Sequence, residues 1–337
     1  MPKSDIGQHA PLVATAIRPS TIFNCNMQNP RSIGKILRLR EFNLAKSKQR
    51  PFDTSKFMVA AVHHVFRQTR AYTNSTFSAD ELLHFNALAS TWWDTNGPSR
   101  LLHKMNPLRI SFIFDTIDRY SIKSLSRESG LKMLDVGCGG GILTESLARN
   151  PRVASVTGID MSEEVLSVAQ QHKKQDPALV SGGKLQYKLC SLLDLPIAQE
   201  AGEGQIEERY DGVTLFEVLE HVPSPSAILQ AATERVRPGG WIFISTVNRT
   251  AVAYLTTILM GEKVLNIVPE GTHTWSKYIN ERELREWFYE QKTNVPGSGE
   301  HWDIVRSEGC IYVPFVGWKF AGPRDVGNYF LAARRLQ

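Results

Sequence analysis

The sequence predicts an α/β domain built on a doubly wound, seven-stranded, mostly parallel sheet. Three observations carry that expectation. The run Leu134-Asp135-Val136-Gly137-Cys138-Gly139-Gly140-Gly141 follows the apolar Leu131-Lys132-Met133. It precedes Ile142, Leu143, Leu147 and Ala148 at helical spacing, so it reads strand, glycine loop, helix. Buried-strand patterns then recur at 153–159, 185–190, 210–215 and 241–245, with helical patterns between them. Finally, Gly137, Asp160, Ser191 and Glu217 all fall at the carboxyl ends of those strands. Ligands of open α/β sheets sit there, at the switch point.

Charge divides the chain. Residues 1–72 hold 12 Lys/Arg and 3 Asp/Glu, whereas the remainder holds 27 and 31. The basic segment is rich in Arg, Lys, Ser, Thr, Asn and Gln, a composition that fits a mitochondrial transit peptide. Arg70-Ala71-Tyr72 before Thr73-Asn74-Ser75 resembles a matrix-processing site. The rest of the chain is mildly acidic, which argues against a nucleic-acid partner. No stretch supplies the ~20 apolar residues of a membrane span. The four cysteines form no Cys-x-x-Cys pair, so neither a zinc ribbon nor a disulfide framework is indicated.

Elements follow in order. Residues 73–125 read as an N-terminal helical cap. Ser78 and Glu81 form a capping-box pattern ahead of Leu82, Leu83, Phe85, Leu88 and Ala89 at helical spacing. Trp92 and Trp93 read as packing residues that could also line a site for an aromatic substrate. Pro107 suits the start of a helix continued by Ile110, Phe112 and Ile113. Residues 126–337 read as the catalytic domain. In it, Ser162-Glu163-Glu164 opens a helix, 198–208 is an acidic insertion, and Arg237-Pro238-Gly239-Gly240 is a turn. An insertion at 251–280 begins with an apolar run, 251–268, that reads equally as a helical lid or as an interfacial segment admitting a lipid-like substrate. Residues 309–314 and 329–333 read as the strands that finish the sheet.

The glycine loop discriminates between ligands. The dinucleotide fingerprint Gly-x-Gly-x-x-Gly fails, because its third glycine position falls on Ile142. Asp135 ahead of Gly137 suits a cationic amino group better than a phosphate. Asp160 at the end of the second strand can take both ribose hydroxyls of an adenosine. Together they resemble the S-adenosylmethionine site of class I methyltransferases, in which Gly139 lies in the loop and Ser191 beside the adenine. Glu217, Glu220 and His221 stand at relative positions 0, 3 and 4 and would share one face of a helical turn. Such a set can hold Mg²⁺, with Zn²⁺ or Mn²⁺ as alternatives, and polarise a catechol. His221 could instead be a general base.

Several stretches carry a closer resemblance. They are Phe85-Asn86-Ala87-Leu88-Ala89, Trp92-Trp93-Asp94, His103-Lys104-Met105-Asn106-Pro107-Leu108-Arg109, Glu217 to Val222, and Pro269-Glu270-Gly271-Thr272-His273-Thr274-Trp275. With the glycine loop, these resemble the ubiquinone-biosynthesis O-methyltransferase family. The resemblance implies methyl transfer from S-adenosylmethionine to a hydroxyl of a polyprenylated dihydroxybenzoate and of a demethylubiquinol. It implies that Arg109, Gly137, Asp160 and Phe216 contact the cofactor, and that Glu217, Glu220 and His221 hold the metal. His221, Glu217 and His273 are the candidate catalytic residues. It further implies peripheral residence on the matrix face of the mitochondrial inner membrane, within a coenzyme Q biosynthetic complex. Residues 292–300 and 310–320 depart from the family pattern. Two other readings remain beside this one: a methyltransferase of another small phenol, and a non-catalytic cofactor-binding subunit.

Overall fold

In the computed structural model, the described residues are 79–121, 130–196, 209–250, 277–293, 302–313 and 315–336. The expected transit segment, the acidic insertion and residues 251–276 lie outside them.

Helix α1 is Ala79–Leu88 and α2 is Arg100–Tyr120, joined through a 3-10 turn at Ala89–Thr91. There follow β1 Leu131–Val136, α3 Ile142–Arg149, β2 Val153–Asp160, α4 Glu163–Lys173, α5 Pro177–Ser181 and β3 Leu185–Leu189. Next come β4 Tyr210–Phe216, a 3-10 turn Leu219–His221, α6 Pro225–Glu234 and β5 Val236–Val247. The chain closes with α7 Glu281–Thr293, β6 Trp302–Val313, β7 Gly317–Phe320 and β8 Asn328–Arg335.

All the strands form one sheet in the order β3-β2-β1-β4-β5-β8-β6-β7. The first five are parallel to one another, and β8, β6 and β7 are joined antiparallel. The expected α/β, doubly wound architecture is therefore present, with eight strands among the described residues rather than seven. The additional strand is β7, four residues long, paired only with the end of β6. A strand this short carries too few alternations to register as a period. The expected turn at 237–240 is absorbed into the start of β5, where the register against β4 shifts between Tyr210 and Gly212.

Both faces of the sheet are covered, and the strands show it by alternation. Ile242 and Ile244 of β5 join one core cluster with α6 and α7, through Leu229, Leu284 and Phe288. Trp241 and Phe243 join the other, with α2 and α3, through Phe112, Ile113, Leu143 and Leu147. Successive side chains point to opposite faces, so each cluster takes every second residue. Helix α2 begins at Arg100, earlier than expected, which places Pro107 inside it. Pro107 forfeits one backbone hydrogen bond, yet burial of Met105, Phe112, Ile113 and Ile117 holds the helix on the sheet.

Order reverses at β1, which lies between β2 and β4, so the carboxyl ends of β1, β2 and β4 open a crevice together. Phe112 fixes α2 beneath it, with ring centroids 6.3 Å from Phe243 and 5.2 Å from Phe330. Phe112 is fully buried. Phe112→Ala should cost about 3–5 kcal/mol of unfolding free energy, read as a lower denaturant midpoint at unchanged slope.

Candidate active site

The glycine loop begins where β1 ends. Asp135 points into the protein beneath it, accepting from Thr144 Oγ1 at 2.6 Å and from Thr214 Oγ1 at 2.7 Å. It thereby ties β1 to α3 and β4. Gly139 has φ 53°, and a Cβ there would overlap the indole of Trp92. Gly141 has φ 89° immediately before α3, and a Cβ there would overlap the Tyr187 hydroxyl. Only glycine meets both demands, a left-handed backbone and no side chain. Trp93 grips the same loop from beside it, donating Nε1–H to the Gly140 carbonyl at 2.8 Å. Its ring stacks on His172 with centroids 3.4 Å apart, and His172 Nδ1 bonds the buried Glu145 at 2.9 Å.

Asp160 closes the second wall. Its Oδ2 accepts from the Gly139 amide at 2.8 Å and its Oδ1 from the Ser162 amide at 2.9 Å. The loop and the acid are therefore a single hydrogen-bonded unit. Ser162 caps α4 by accepting from the Val165 amide, and donates Oγ–H to Asn86 of α1 at 2.7 Å. Ser191 stands past β3, buried, its Oγ accepting from the Leu193 amide at 3.2 Å.

The third wall follows β4. The Phe216 ring packs into the core, 5.3 Å from that of Phe330, with the Arg109 guanidinium 5.7 Å from its centroid. A cofactor contact at Phe216 would therefore fall to its backbone. Glu217 has φ 58°, a left-handed conformation rare for a side-chain-bearing residue. Its carboxylate accepts from Arg109 Nη2 at 2.6 Å. Arg109 is buried, and its Nε–H has no partner.

The expected metal set does not converge in this arrangement. Glu217 goes to Arg109, and Glu220 Oε2 accepts from Thr246 Oγ1 at 2.9 Å. His221 Nδ1 meets Glu81 Oε2 at 3.0 Å. Among the described residues, no group of three or more His, Cys, Asp or Glu side chains is placed to hold a metal ion. The left-handed φ of Glu217 puts it outside the Leu219–His221 turn, so positions 0, 3 and 4 share no helical face. His273 lies outside the described residues. The expected capping box also changes: Ser78 is not described, and Glu81 sends its oxygens to His221 and, at 2.7 Å, to Lys277.

Burial sets the electrostatics. Desolvation pushes the carboxyls of Asp135, Asp160 and Glu220 above the usual range, against hydrogen bonds that favour ionisation. Glu81 goes the other way. Its burial is outweighed by hydrogen bonds from His221 and Lys277, and its pKa falls from 4.5 to about 2. His221 is raised: burial opposes its charge, but Glu81 and Glu220 favour it.

The sequence placed the loop after β1 and Asp160 at the end of β2, as the structure has them, but not what the tryptophans pack on, nor the Glu81–His221 contact. The signal for the first was present: two bulky indoles upstream of a loop with room for none of its own.

A glycine loop bonded to an acid at the end of β2, under a mostly parallel sheet, defines a class I S-adenosylmethionine-dependent methyltransferase. A family model for a methyltransferase domain matches residues 103–294. The plantazolicin methyltransferase BpumL, solved with a substrate analogue and SAH, superposes with a TM-score of 0.50 at 16% identity, covering 77% of this chain and 98% of that one. Closer kinship lies in curated sequences. The mitochondrial ubiquinone biosynthesis O-methyltransferase of Candida albicans is 43% identical over 308 residues, covering 81% of this chain and 89% of its own. That of Saccharomyces cerevisiae is 39% identical over 306 residues, covering 80% and 92%. The bacterial Hydrogenovibrio crunogenus enzyme is 46% identical over 220 residues, covering 64% and 81%. The chain belongs to the ubiquinone biosynthesis O-methyltransferase family.

Two outcomes test this geometry. Gly139→Ala should lower S-adenosylmethionine affinity at least about tenfold, and adding Trp92→Ala should restore part of it, because the indole is what the new methyl meets. Calorimetric titration of both variants reads this. The Glu81–His221 pair requires Glu81 ionised and is strongest when His221 is protonated. Glu81's lowered pKa gives stability that is present above 4.5 and lost as pH falls toward about 2. The raised pKa of His221 gives stability that is present below 6.5 and lost as pH rises through its folded value. Glu81→Gln should therefore destabilise most between pH 4.5 and 6.5, measured by denaturant titration across pH.

Proposed function

We propose that this chain transfers the methyl group of S-adenosylmethionine to a hydroxyl of a polyprenylated dihydroxybenzoate and of a demethylubiquinol. It works in the mitochondrion, peripherally on the matrix face of the inner membrane, within a coenzyme Q biosynthetic complex. The observation that carries the reading is the placement of Asp160 against the glycine loop, in a chain whose relatives are named for ubiquinone biosynthesis. Mitochondrial names among those relatives support the compartment, as does the basic composition of residues 1–72. No helix among the described residues is long and apolar enough to cross a membrane, which suits peripheral attachment.

The reaction is a direct displacement. The phenolate oxygen of the acceptor attacks the sulfonium methyl, the S–CH₃ bond breaks, and S-adenosylhomocysteine leaves. Most of the acceleration comes from holding oxygen, carbon and sulfur in line. Asp160 holds the ribose, the loop amides and Arg109 the methionine end, and Asp135 braces the loop from beneath. His221 takes the phenolic proton. Glu81 engages Nδ1, so Nε2 is the nitrogen left to take a proton, the arrangement of an oriented base. His273, which lies outside the described residues, is a second base within the same reading.

No step is assigned to Mg²⁺, because Glu217, Glu220 and His221 each face a different partner. Their alternative role as metal ligands is separable in one assay. Activity lost with a chelator and restored by Mg²⁺ would assign them to the ion.

The deciding experiment is transfer from labelled S-adenosylmethionine to a prenylated dihydroxybenzoate in detergent. Asp160→Ala should raise the KM for S-adenosylmethionine at least about tenfold, the cost of losing charge-assisted hydrogen bonds, with kcat less affected. An unchanged KM would remove the ribose assignment.

A further inference from the structure

Gly140 and Gly141 share a peptide unit that is bonded at both ends. Its carbonyl accepts Trp93 Nε1–H at 2.8 Å, and its N–H donates to the Cys138 carbonyl at 3.0 Å. With glycine on both sides, no Cβ resists rotation of this unit. A flip would exchange carbonyl and N–H and break both bonds. The unit lies immediately before α3, which begins at Ile142.

Trp93 is itself held. Its indole lies flat on the His172 ring of α4, with centroids 3.4 Å and planes 3° apart. Aromatic pairs prefer offset or edge-on arrangements to direct overlap, so this overlap is imposed by what surrounds the rings. Glu145 supplies the constraint, with its two oxygens 2.9 and 3.0 Å from His172 Nδ1. Glu145 is fully buried in the first turn of α3, and one of its oxygens also accepts from Arg149 Nη2 at 2.8 Å. His103 of α2 meets Trp93 edge-on at 5.3 Å, while its Nε2–H donates to the Trp92 carbonyl at 2.9 Å. Apolar packing accounts poorly for this stack, because Trp93 and His172 are both only half-buried. The Glu145 amide donates to the Gly141 carbonyl at 2.9 Å. The chain of contacts therefore leaves the loop at Gly140, passes through Trp93, His172 and Glu145, and returns at Gly141.

We propose that Trp93, His172 and Glu145 are positioning residues for S-adenosylmethionine, a closed circuit that holds the Gly140–Gly141 peptide against flipping. Glu145 fixes the plane of the imidazole, the imidazole fixes the plane of the indole, and the indole N–H fixes the carbonyl. None of the three touches the reacting atoms. His172 and Glu145 act on the cofactor through Trp93, and Trp93 acts through one peptide of the loop.

The test is calorimetric titration of the full chain with S-adenosylhomocysteine, which needs no methyl acceptor, with denaturant midpoints recorded beside it. Trp93→Phe keeps an aromatic ring on His172 and loses the N–H, so Kd should rise at least about fivefold. His172→Gln removes the stacked ring and should raise Kd by a comparable factor. The double variant should bind within about twofold of Trp93→Phe alone, because both changes act through one bond. Glu145→Gln keeps an acceptor for His172 and should stay within about twofold of wild type, whereas Glu145→Ala should not. An unchanged Kd in Trp93→Phe overturns the proposal. Additive losses in the double variant also overturn it, since His172 would then act on the site by another route. A lower denaturant midpoint with unchanged Kd in His172→Gln overturns it too, by marking the stack as structural. Should His172→Gln fail to fold, His172→Phe, which keeps a ring and loses the bond to Glu145, takes its place in the cycle under the same expectations.

Discussion

The contact between Trp92 and the backbone of Gly139 and Gly140 is the constraint on which the rest of the site depends. An indole laid on a peptide surface excludes any side chain from that surface, so the loop is glycine at both places. The same contact fixes the cap. Trp93 bonds the loop carbonyl, Asn86 bonds Ser162 beside Asp160, and Asn106 bonds the first residue of α3 and Ser146. Each bond runs from the helices and turn that precede the sheet to an element that forms the cofactor wall. The cap is thus built into the site, and the loop takes its shape from both sides.

This architecture explains what could be read from the sequence. The strands were legible because a sheet covered on both faces needs near-continuous apolar runs with a strict alternation of destinations. Trp241 and Ile242, neighbours in sequence, go to opposite clusters. The loop was legible because glycines clustered so densely after a strand mark a backbone that must turn sharply and lie bare against a neighbour. The pairing of side chains across the site was not. Glu217, Glu220 and His221 look like one helical face only if the backbone is helical through all of them, and φ 58° at Glu217 breaks that assumption. Backbone conformation at a single residue leaves no periodic trace. The Glu81–His221 bond joins residues 140 positions apart, and no local pattern encodes that. Strand β7 escaped for the opposite reason, being too local and too short.

The charges around the site fit a cationic ligand. Three carboxylates there are disfavoured as anions by burial, and a positive group among them relieves part of that cost. S-adenosylmethionine brings a sulfonium and an ammonium. Its product keeps only the ammonium, because methyl transfer turns the sulfonium into a neutral thioether. Carboxylates placed near the sulfur therefore favour the substrate form of the cofactor over the product form. Arg109 tempers this field, its guanidinium bonded to Glu217 and favouring ionisation of Asp135.

Asp135 shows how position and role separate. Its place ahead of the first glycine suggests contact with the cofactor's amino group. Both of its oxygens instead receive threonine hydroxyls, one from α3 and one from β4. A carboxylate so engaged is a fastening between three elements that meet under the loop. Asp160, twenty-one residues beyond Gly139, does the same work from the other side by accepting its amide. The loop is therefore held by an acid beneath, an acid beside and an indole above. Movement of any one would shift the backbone amides that the loop presents. In-line displacement tolerates little error in that geometry, so the buried charges of the site serve to hold the loop still.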